Sequence, residues 1–281
     1  MLSICQPFAV LPFGRAITTN LLEGACMELP NSIVITGATG AIGGALALTY
    51  ATHGCRLLLL GQNAERLSAL AQACESKGAR VICQQMDLRD IAALRAWAAT
   101  VFATEIPDLL IANAGVNINL TDDPAGERWE DIERLMDVNL RATQALVHAV
   151  LPFMRRRGRG QIALVSSLAG YYGLPMTPSY SASKAAVKAY GEALRGWLAP
   201  EGVQVSVIMP GYVASPMCDA MPGPKPFLWS PERAARVIRR GLAANRARIS
   251  FPFPLNWGSW WLAVLPASMS QRILHWIGYR V

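Results

Sequence analysis

Residues 32–44 read SIVITGATGAIGG, in which a β-branched apolar run enters a glycine-rich turn and an alanine-rich segment follows. Gly37 permits the tight bend, the small residues Gly40 and Ala41 let a ligand approach the backbone, and Gly43 allows the next helix to pack closely. A helix that begins here directs free N–H groups at an anion. Because the turn lies between a predicted strand and a predicted helix, it predicts a binding site for the pyrophosphate of a dinucleotide.

The rest of the chain alternates short apolar runs with longer amphipathic segments. Such alternation is typical of a parallel sheet covered by helices on both faces. The sequence therefore predicts an α/β fold of the Rossmann type, a doubly wound parallel sheet that binds ligands beyond the carboxyl ends of its strands. The predicted strands are Ser32–Thr36, Arg56–Leu60, Arg80–Gln84, Asp108–Ala112, Gln161–Ser166 and Gln204–Met209, and the clearest later helices are Ala64–Lys77, Arg89–Thr104, Trp129–Phe153 and Tyr180–Leu198.

The length of the chain is compatible with one large α/β domain or two small ones, and the lack of internal repeats and low-complexity linkers favours one. The chain has 281 residues, of which 52% are hydrophobic, enough for one sizeable core. Its six cysteines show no metal-binding spacing, so neither a metal site nor a disulfide framework is predicted, and a cytoplasmic location fits. We expect a poorly ordered N-terminal extension over residues 1–26, without the basic start of a secretory signal, a Rossmann-type domain over 27–248 and a C-terminal tail over 249–281.

The net charge of +7 is concentrated at the C-terminal end. Eight of the 26 basic residues and none of the 19 acidic ones follow Glu232, which leaves 18 basic against 19 acidic residues before that point. The nearly balanced charge of the chain up to Glu232 disfavours a function in nucleic-acid binding. The cationic end instead favours contact with an anionic surface or partner.

Residues 166–184, SSLAGYYGLPMTPSYSASK, carry a second candidate site. Tyr180 and Lys184 are four residues apart, so they share one face of a helix. A phenol titrates at about pH 10, and an adjacent ammonium is expected to lower its pKa. The pair is suited to act as general acid or base toward a ketone or an alcohol. Since the spacing alone also fits a solvated helix face, the neighbouring motifs decide between these interpretations.

The glycine turn, the Tyr180/Lys184 pair and several motifs between and after them resemble, in their order along residues 32–215, those of the short-chain dehydrogenase/reductase family. The glycine motif has Ala41 where many members have a second glycine, and the NNAG motif departs at its first residue. The matches are Thr36, Gly37, Ala41 and Gly43 for TGxxx(G/A)xG, Asp87 and Leu88 for the adenine contact, Ala112–Gly115 for NNAG, Asn139 for the helix asparagine, Ser167, Tyr180 and Lys184 for the serine and YxxxK, and Pro210, Gly211 and Ser215 for PGxVx(T/S).

The resemblance implies an NAD(P)-dependent oxidoreductase that interconverts a ketone and a secondary alcohol. Ser167 is then expected to hydrogen-bond the carbonyl oxygen and Tyr180 to deliver or remove the proton. Lys184 would stabilise the phenolate and hold the nicotinamide ribose, while the Asn139 backbone would anchor a water that links Lys184 to solvent. The residues expected to bind the cofactor are Gly37, Thr39, Gly40, Ala41, Ile42, Gly43, Gln62, Asn63, Arg66, Asp87, Leu88, Asn113, Ala114, Gly115, Tyr180, Lys184, Pro210, Gly211, Val213 and Ser215.

The end of the second predicted strand bears on the choice between NAD and NADP. An acidic residue there, about 20 residues beyond the glycine motif, is typical of NAD sites, and this chain has Gly61 instead. The absence of a carboxylate favours NADP, although Gln62 replaces an arginine that NADP-preferring relatives often carry. Arg66 is a candidate for the 2′-phosphate. We therefore expect NADP, with NAD as the alternative.

Tyr212–Ser230, called the lid here, follows the turn expected to cover the nicotinamide. Met217, Met221, Phe227 and Trp229 predict an adaptable apolar surface, and Tyr171, Tyr172 and Met176 add apolar bulk after the serine. This composition indicates a hydrophobic or lipid-like substrate, although packing of the same residues on the sheet fits equally well.

The C-terminal tail holds four of the eight tryptophans and carries no charge from Ile249 to Gln271. This run could span a bilayer by length, but Pro252, Pro254 and Pro266 interrupt it. A helix lying in the interface, peripheral on the inner face of a membrane, is the better interpretation. Burial in a dimer interface or over the substrate site is the competing one.

Three functions remain open. The favoured one is a carbonyl reductase or alcohol dehydrogenase; the others are a non-catalytic nucleotide-binding sensor or scaffold and a relative that modifies nucleotide-linked sugars. The complete set of Asn139, Ser167, Tyr180 and Lys184 argues against the sensor. Sugar-modifying relatives usually have a larger substrate domain than the 66 residues after Ser215 provide. The resemblance also implies a homodimer or homotetramer.

Overall fold

Seven parallel strands form one sheet in the computed structural model, which describes residues 30–119 and 126–279. The strands are β1 Ser32–Thr36, β2 Arg56–Gly61, β3 Arg80–Gln85, β4 Leu109–Ala112, β5 Gly160–Val165, β6 Val203–Pro210 and β7 Arg248–Phe251. The helices are α1 Ala41–Tyr50, α2 Ala64–Glu75, α3 Ile91–Thr104, α4 Trp129–Met136, α5 Ala142–Arg157, α6 Pro178–Leu198, α7 Pro216–Asp219, α8 Pro231–Ala243, α9 Leu255–Val264 and α10 Ala267–Trp276.

The strand order is β3-β2-β1-β4-β5-β6-β7. The central strand β1 pairs with β2 in the register Ile35↔Leu59 and with β4 in the register Ile35↔Ile111. The chain therefore moves outward in opposite directions on the two sides of β1, and the crevice beyond β1 and β4 is the place where such sheets bind ligands. The doubly wound parallel fold expected from the sequence is confirmed.

Alternate residues of the strands pack into two apolar cores, one on each face of the sheet. Ile33 and Leu57 contribute to the core under α1 and α8, whereas Val34 and Leu58 contribute to the core under α3, α5 and α6. Each fully buried aliphatic side chain stabilises the fold by roughly 1.5–3 kcal/mol relative to exposure. The glycine turn after β1 and the serines after β5 are therefore held at the edge of a rigid sheet.

Two features near the site differ from the sequence prediction. The predicted helix over 129–153 contains a π-helical turn, Asp137–Arg141, between α4 and α5. The seventh strand, β7, was not predicted; it extends the sheet by pairing with β6 in the register Ile208↔Ile249. The expected start of the C-terminal tail at residue 249 therefore falls inside β7.

The C-terminal tail forms two short helices, α9 and α10, separated at Pro266. Within residues 30–119 and 126–279, no helix combines the length and the apolarity needed to cross a bilayer. The expected N-terminal extension over 1–26 lies outside the described residues.

Candidate active site

A cleft of about 450 Å³ opens at the carboxyl ends of the strands, beside the glycine turn. The turn and the start of α1 form one end of it, and the start of the lid with Tyr180 and Lys184 of α6 form the other. Most residues expected from the sequence line this cleft together. They are Gly37, Thr39, Gly40, Ala41, Ile42, Gln62, Arg66, Leu88, Asn113, Ala114, Gly115, Ser167, Tyr180, Lys184, Pro210, Gly211, Val213 and Ser215; Gly43, Asn63, Asp87 and Asn139 lie behind or beside it.

The glycine turn is folded tightly against the loop after β4. Gly37 has a φ of +62°, and a Cβ there would lie 2.8 Å from the Cα of Ala114. The amide Nδ2 of Asn113 donates to the carbonyls of Thr36 (2.9 Å) and Gly37 (3.1 Å). A Cβ on Gly43 would lie 2.3 Å from the Gly37 carbonyl oxygen, so only glycine fits. These contacts explain why small residues occupy the turn.

The N-terminus of α1 has no side-chain cap, because glycine at the N-cap position, Gly40, has no side chain to accept from the first N–H groups, and the first turn contains no acidic residue. The next helix, α2, is by contrast capped by Asn63, whose Oδ1 accepts from the N–H of Arg66 at 2.7 Å. The first N–H groups of α1 therefore remain free at the cleft, where they suit an anionic phosphate. Asn63, by contrast, is engaged in capping.

Asn139 lies in the π-helical turn and ties three segments together. Its Oδ1 accepts from the N–H of Val116 (2.8 Å), and its Nδ2 donates to the Val116 carbonyl (3.0 Å) and to Oγ of Ser183 (3.0 Å). A Cβ on Gly115 would lie 3.1 Å from Nζ of Lys184. Asn139 thus fixes the loop after β4 next to α6, and the water expected on its backbone stays a prediction.

Lys184 is buried beneath the cleft and donates from Nζ to the Val165 carbonyl at 3.0 Å. No acidic side chain among the described residues forms an ion pair with it. Burial lowers the pKa of Lys184 to about 8. At neutral pH the group is therefore mostly an ammonium, which one carbonyl holds in place. Because its pKa lies only about one unit above neutral, a small rise in pH removes the proton.

Tyr180 does not have the lowered pKa expected from its position beside Lys184. The ammonium lies 5.6 Å from the centre of the phenol ring. Burial raises the pKa of Tyr180, the hydroxyl of Ser167 opposes this increase, and the Cys218 thiol adds to it. The two residues are neighbours as the spacing predicted, but desolvation of the phenolate is the largest influence on the pKa of Tyr180. Tyr180 is thus protonated at neutral pH, ready to act as an acid.

The two serines after β5 have different tasks. Ser167 lines the cleft, and its Oγ accepts from the N–H of Ala169 at 3.2 Å. Ser166 donates to the carbonyl of Lys184 at 2.6 Å, which holds α6 against β5. The sequence did not identify this second role, because a hydroxyl at a strand end carries no sign of its partner.

At the far end of the cleft, a Cβ on Gly61 would lie 2.9 Å from Cγ2 of Thr39. A larger residue at this position would therefore have to displace the side chain of Thr39. The Asp87 carboxylate accepts from Gln62 Nε2 (3.1 Å) and pairs with Arg89, whose hydrogen bond lowers the pKa of Asp87. Arg66 is exposed at the cleft, and no ion pair engages it among the described residues.

Half of the predicted lid surface faces the cleft. Met217 and Met221 line it, whereas Phe227 is exposed and Trp229 stacks on Phe251 at 5.0 Å between ring centroids. Trp229 closes the base of the lid, where its N–H donates to the Tyr212 carbonyl at 3.0 Å. The cleft residues that lie outside the predicted site and the predicted lid are Met86, Val116, Val138, Val165 and Ser166, and most of them are apolar and carry no motif. The cleft is also lined by Gly61, which the sequence singled out only for the absence of an acidic residue, and by three lid residues that the sequence did not single out, Tyr212, Pro216 and Cys218.

The aromatic residues expected to add bulk after Ser167 belong elsewhere. Tyr171 and Tyr172 line a second cavity of about 430 Å³, between this loop and Leu274 of α10. No group of three or more His, Cys, Asp or Glu side chains in the described ranges could hold a metal ion.

Comparison with known proteins gives consistent matches. A family model described as short chain dehydrogenase matches residues 31–223. An uncharacterized oxidoreductase of Myxococcus xanthus is 35% identical over 240 residues, which are 83% of this chain and 92% of that protein. The ketoacyl reductase HetN of Nostoc is 32% identical over 184 residues, which are 65% of this chain and 63% of HetN.

Among solved structures, a short-chain dehydrogenase from Sphingobium yanoikuyae in complex with NADPH has a TM-score of 0.73 and 25% sequence identity. The match covers 87% of this chain and 95% of that one. The similarity thus covers more of the chain than residues 31–223, which the family model matches.

Proposed function

Because the chain belongs to the short-chain dehydrogenase/reductase family, we propose that it is an NADP-dependent oxidoreductase that reduces the ketone of an apolar, lipid-like substrate. The observation that carries this proposal is the convergence of Ser167, Tyr180 and Lys184 on the cleft that also contains the free N-terminus of α1. The phosphate end and the acid/base end thus belong to one continuous site.

The cofactor, when bound, supplies the hydride that reduces the carbonyl carbon. The residues of this chain supply the rest. Hydride addition places negative charge on the carbonyl oxygen, so the hydroxyls of Ser167 and Tyr180 stabilise that charge, and Tyr180 gives its proton to the oxygen. Lys184 provides the positive charge that stabilises the resulting phenolate, and it is fixed by the Val165 carbonyl.

The residues at the far end of the cleft fit a 2′-phosphate. Gly61 places no carboxylate there to repel the phosphate, and the exposed guanidinium of Arg66 lines the cleft together with Gln62. The NADPH complex of the Sphingobium relative supports the same choice. We therefore assign NADP as the preferred cofactor and NAD as the second.

We predict that Arg66→Glu weakens NADPH binding by about 10- to 100-fold, because one charge-assisted hydrogen bond is lost and a repulsive charge is gained. NADH binding should change by less than about 3-fold. Fluorescence titration of both cofactors measures the two dissociation constants. Arg95→Glu, an exposed change on α3, is the control, and equal weakening of NADPH and NADH would contradict the assignment.

The substrate end of the cleft supports an uncharged, apolar ligand. Its walls include Val116, Met217 and Met221, and the charged lining side chains are Arg66 and Lys184, which serve the cofactor and the acid/base pair. Flexible methionines fit ligands of variable shape. The similarity to the ketoacyl reductase HetN favours a ketone within an acyl chain.

We further propose that the outer face of the tail helices binds an anionic lipid surface. Trp257, Trp261 and Trp276 are 62%, 48% and 83% exposed, and Phe253 is 73% exposed. No acidic residue follows Glu232, so this face meets no like charge at an anionic membrane. The homodimer or homotetramer implied by the resemblance stays a prediction.

We expect Trp257→Ala combined with Trp276→Ala to reduce co-sedimentation with phosphatidylglycerol vesicles by about 5-fold or more. Truncation at Ser250 is unsuitable, because it would cut β7. The control is the pair Trp129→Ala and Trp197→Ala, which removes exposed tryptophans from α4 and α6. Equal vesicle binding by the wild type and the tail variant would contradict membrane contact.

A further inference from the structure

The inner face of the C-terminal tail is packed on the substrate side of the cleft. A Cβ on Gly211 would lie 3.1 Å from Cδ2 of Leu255 at the start of α9. The hydroxyl of Tyr172 donates to the Ala267 carbonyl at 3.4 Å. Beyond α10, the hydroxyl of Tyr279 lies 2.5 Å from that of Tyr212. The tail therefore contacts Gly211, in the turn expected to cover the nicotinamide, and Tyr212, the first residue of the lid.

Tyr212 is the residue through which the tail reaches the cleft. It lines the same cleft as Tyr180. Burial raises the pKa of Tyr212, and the bond to Tyr279 adds to this increase. Tyr212 consequently keeps its proton throughout the physiological range.

The wall around Tyr212 offers a ligand few polar groups. Pro216, Met217 and Met221 are apolar, and the Ser215 hydroxyl is occupied by the Val213 carbonyl (3.1 Å) and the Cys218 N–H (3.1 Å). Ser167 and Tyr180 serve the reacting oxygen. A phenol can donate one hydrogen bond and accept another, so the bond to Tyr279 leaves part of the capacity of Tyr212 for a ligand.

We propose that Tyr212, held in place by Tyr279, binds a second oxygen atom of the substrate, close to the ketone that is reduced. This inference rests on the proposed function and narrows its substrate class to ketones that carry a neighbouring carbonyl, as in a 3-ketoacyl ester or thioester. Tyr212 is then a specificity-determining residue, and Tyr279 is a positioning residue supplied by the tail. A site built to hydrogen-bond a substrate oxygen discriminates against analogues that lack it.

The test measures the wild type, Tyr212→Phe, Tyr279→Phe and the double variant with two substrates of equal chain length. One is ethyl 3-oxooctanoate, and the other is the alkyl ketone in which methylene groups replace the ester group. We expect each single change to raise KM for the ketoester by about 3- to 10-fold, with kcat and the KM for the alkyl ketone nearly unchanged. Because Tyr279 acts through Tyr212, the double variant should match Tyr212→Phe.

The matched control is Tyr190→Phe. Tyr190 lies on α6 outside the cleft, partly buried against the apolar core under α3, α5 and α6. Equal losses for both substrates, additive losses in the double variant or wild-type behaviour of Tyr279→Phe would overturn the proposal. Calorimetric titration of both compounds into the enzyme saturated with NADP⁺ reads the same preference without turnover. An enzyme that binds the ketoester selectively but reduces neither compound would therefore contradict the proposed function and still support the role of Tyr212.

Discussion

Tyr180→Phe is expected to lower kcat for ketone reduction by about 10³-fold or more, the upper part of the range for a general acid. The change removes one oxygen atom from a buried ring, so the apolar contacts of the ring remain. Its hydroxyl is the proposed proton donor, and it lines the cleft together with Ser167. The dissociation constant of NADPH should change by less than about 3-fold, because the contacts assigned to the phosphates lie at the other end of the cleft.

Stopped-flow measurement of NADPH oxidation gives kcat, and fluorescence titration gives the dissociation constant. Tyr190→Phe controls for the loss of a phenol outside the cleft and should retain full activity. A Tyr180→Phe enzyme that keeps more than about a tenth of the wild-type kcat would assign the proton to another group.

Lys184→Met is expected to have the second largest effect, lowering kcat by about 10²- to 10³-fold, since the phenolate of Tyr180 loses its neighbouring positive charge. The same change should make the protein more stable. Burial lowers the pKa of Lys184 to about 8, below its value of about 10.4 in the unfolded chain. The unfolded state therefore binds more protons between these values, and the charge destabilises the native protein most fully below about pH 8.

Removing this charge can raise the free energy of unfolding at pH 7 by at most about 3 kcal/mol. The lost hydrogen bond to the Val165 carbonyl reduces this gain by about 1 kcal/mol. Thermal unfolding at several pH values measures the gain, which should shrink as the pH rises above about 8. Wild-type reduction should fall over the same range, because both Tyr180 and Lys184 must carry their protons. Lys188→Met, which removes a cation paired with Glu192 on the same helix, is the control. A less stable Lys184→Met protein would contradict the account of its burial.

The sequence predicted the fold and most of the cleft because both depend on local patterns. The six predicted strands contain recognisable apolar runs, such as the four buried residues of β4, whereas β7 alternates the exposed Arg248 and the partly buried Ser250 with its two apolar residues. Asn139 was identified by its motif, but the π-helical turn that holds it depends on hydrogen bonds to Val116 and Ser183, distant in the chain.

Burial and long-range pairing account for what the sequence missed. The spacing of Tyr180 and Lys184 indicated a neighbouring charge but gave no measure of desolvation, so the direction of the Tyr180 pKa was wrong. The contact between Tyr212 and Tyr279 joins residues 67 positions apart; Tyr212 occupies a variable position of PGxVx(T/S), and Tyr279 lies outside the motifs.

The central claim is that a ketone bound in the cleft receives a hydride from NADPH and a proton from Tyr180. Its most direct test is reduction of ethyl 3-oxooctanoate with NADPH deuterated at the transferable position of the nicotinamide, followed by mass spectrometry of the product. The account predicts one deuterium on the new carbinol carbon for each NADPH oxidised, and loss of this product in Tyr180→Phe. NADPH oxidation without deuterated alcohol, or equal labelling by Tyr180→Phe, would contradict it.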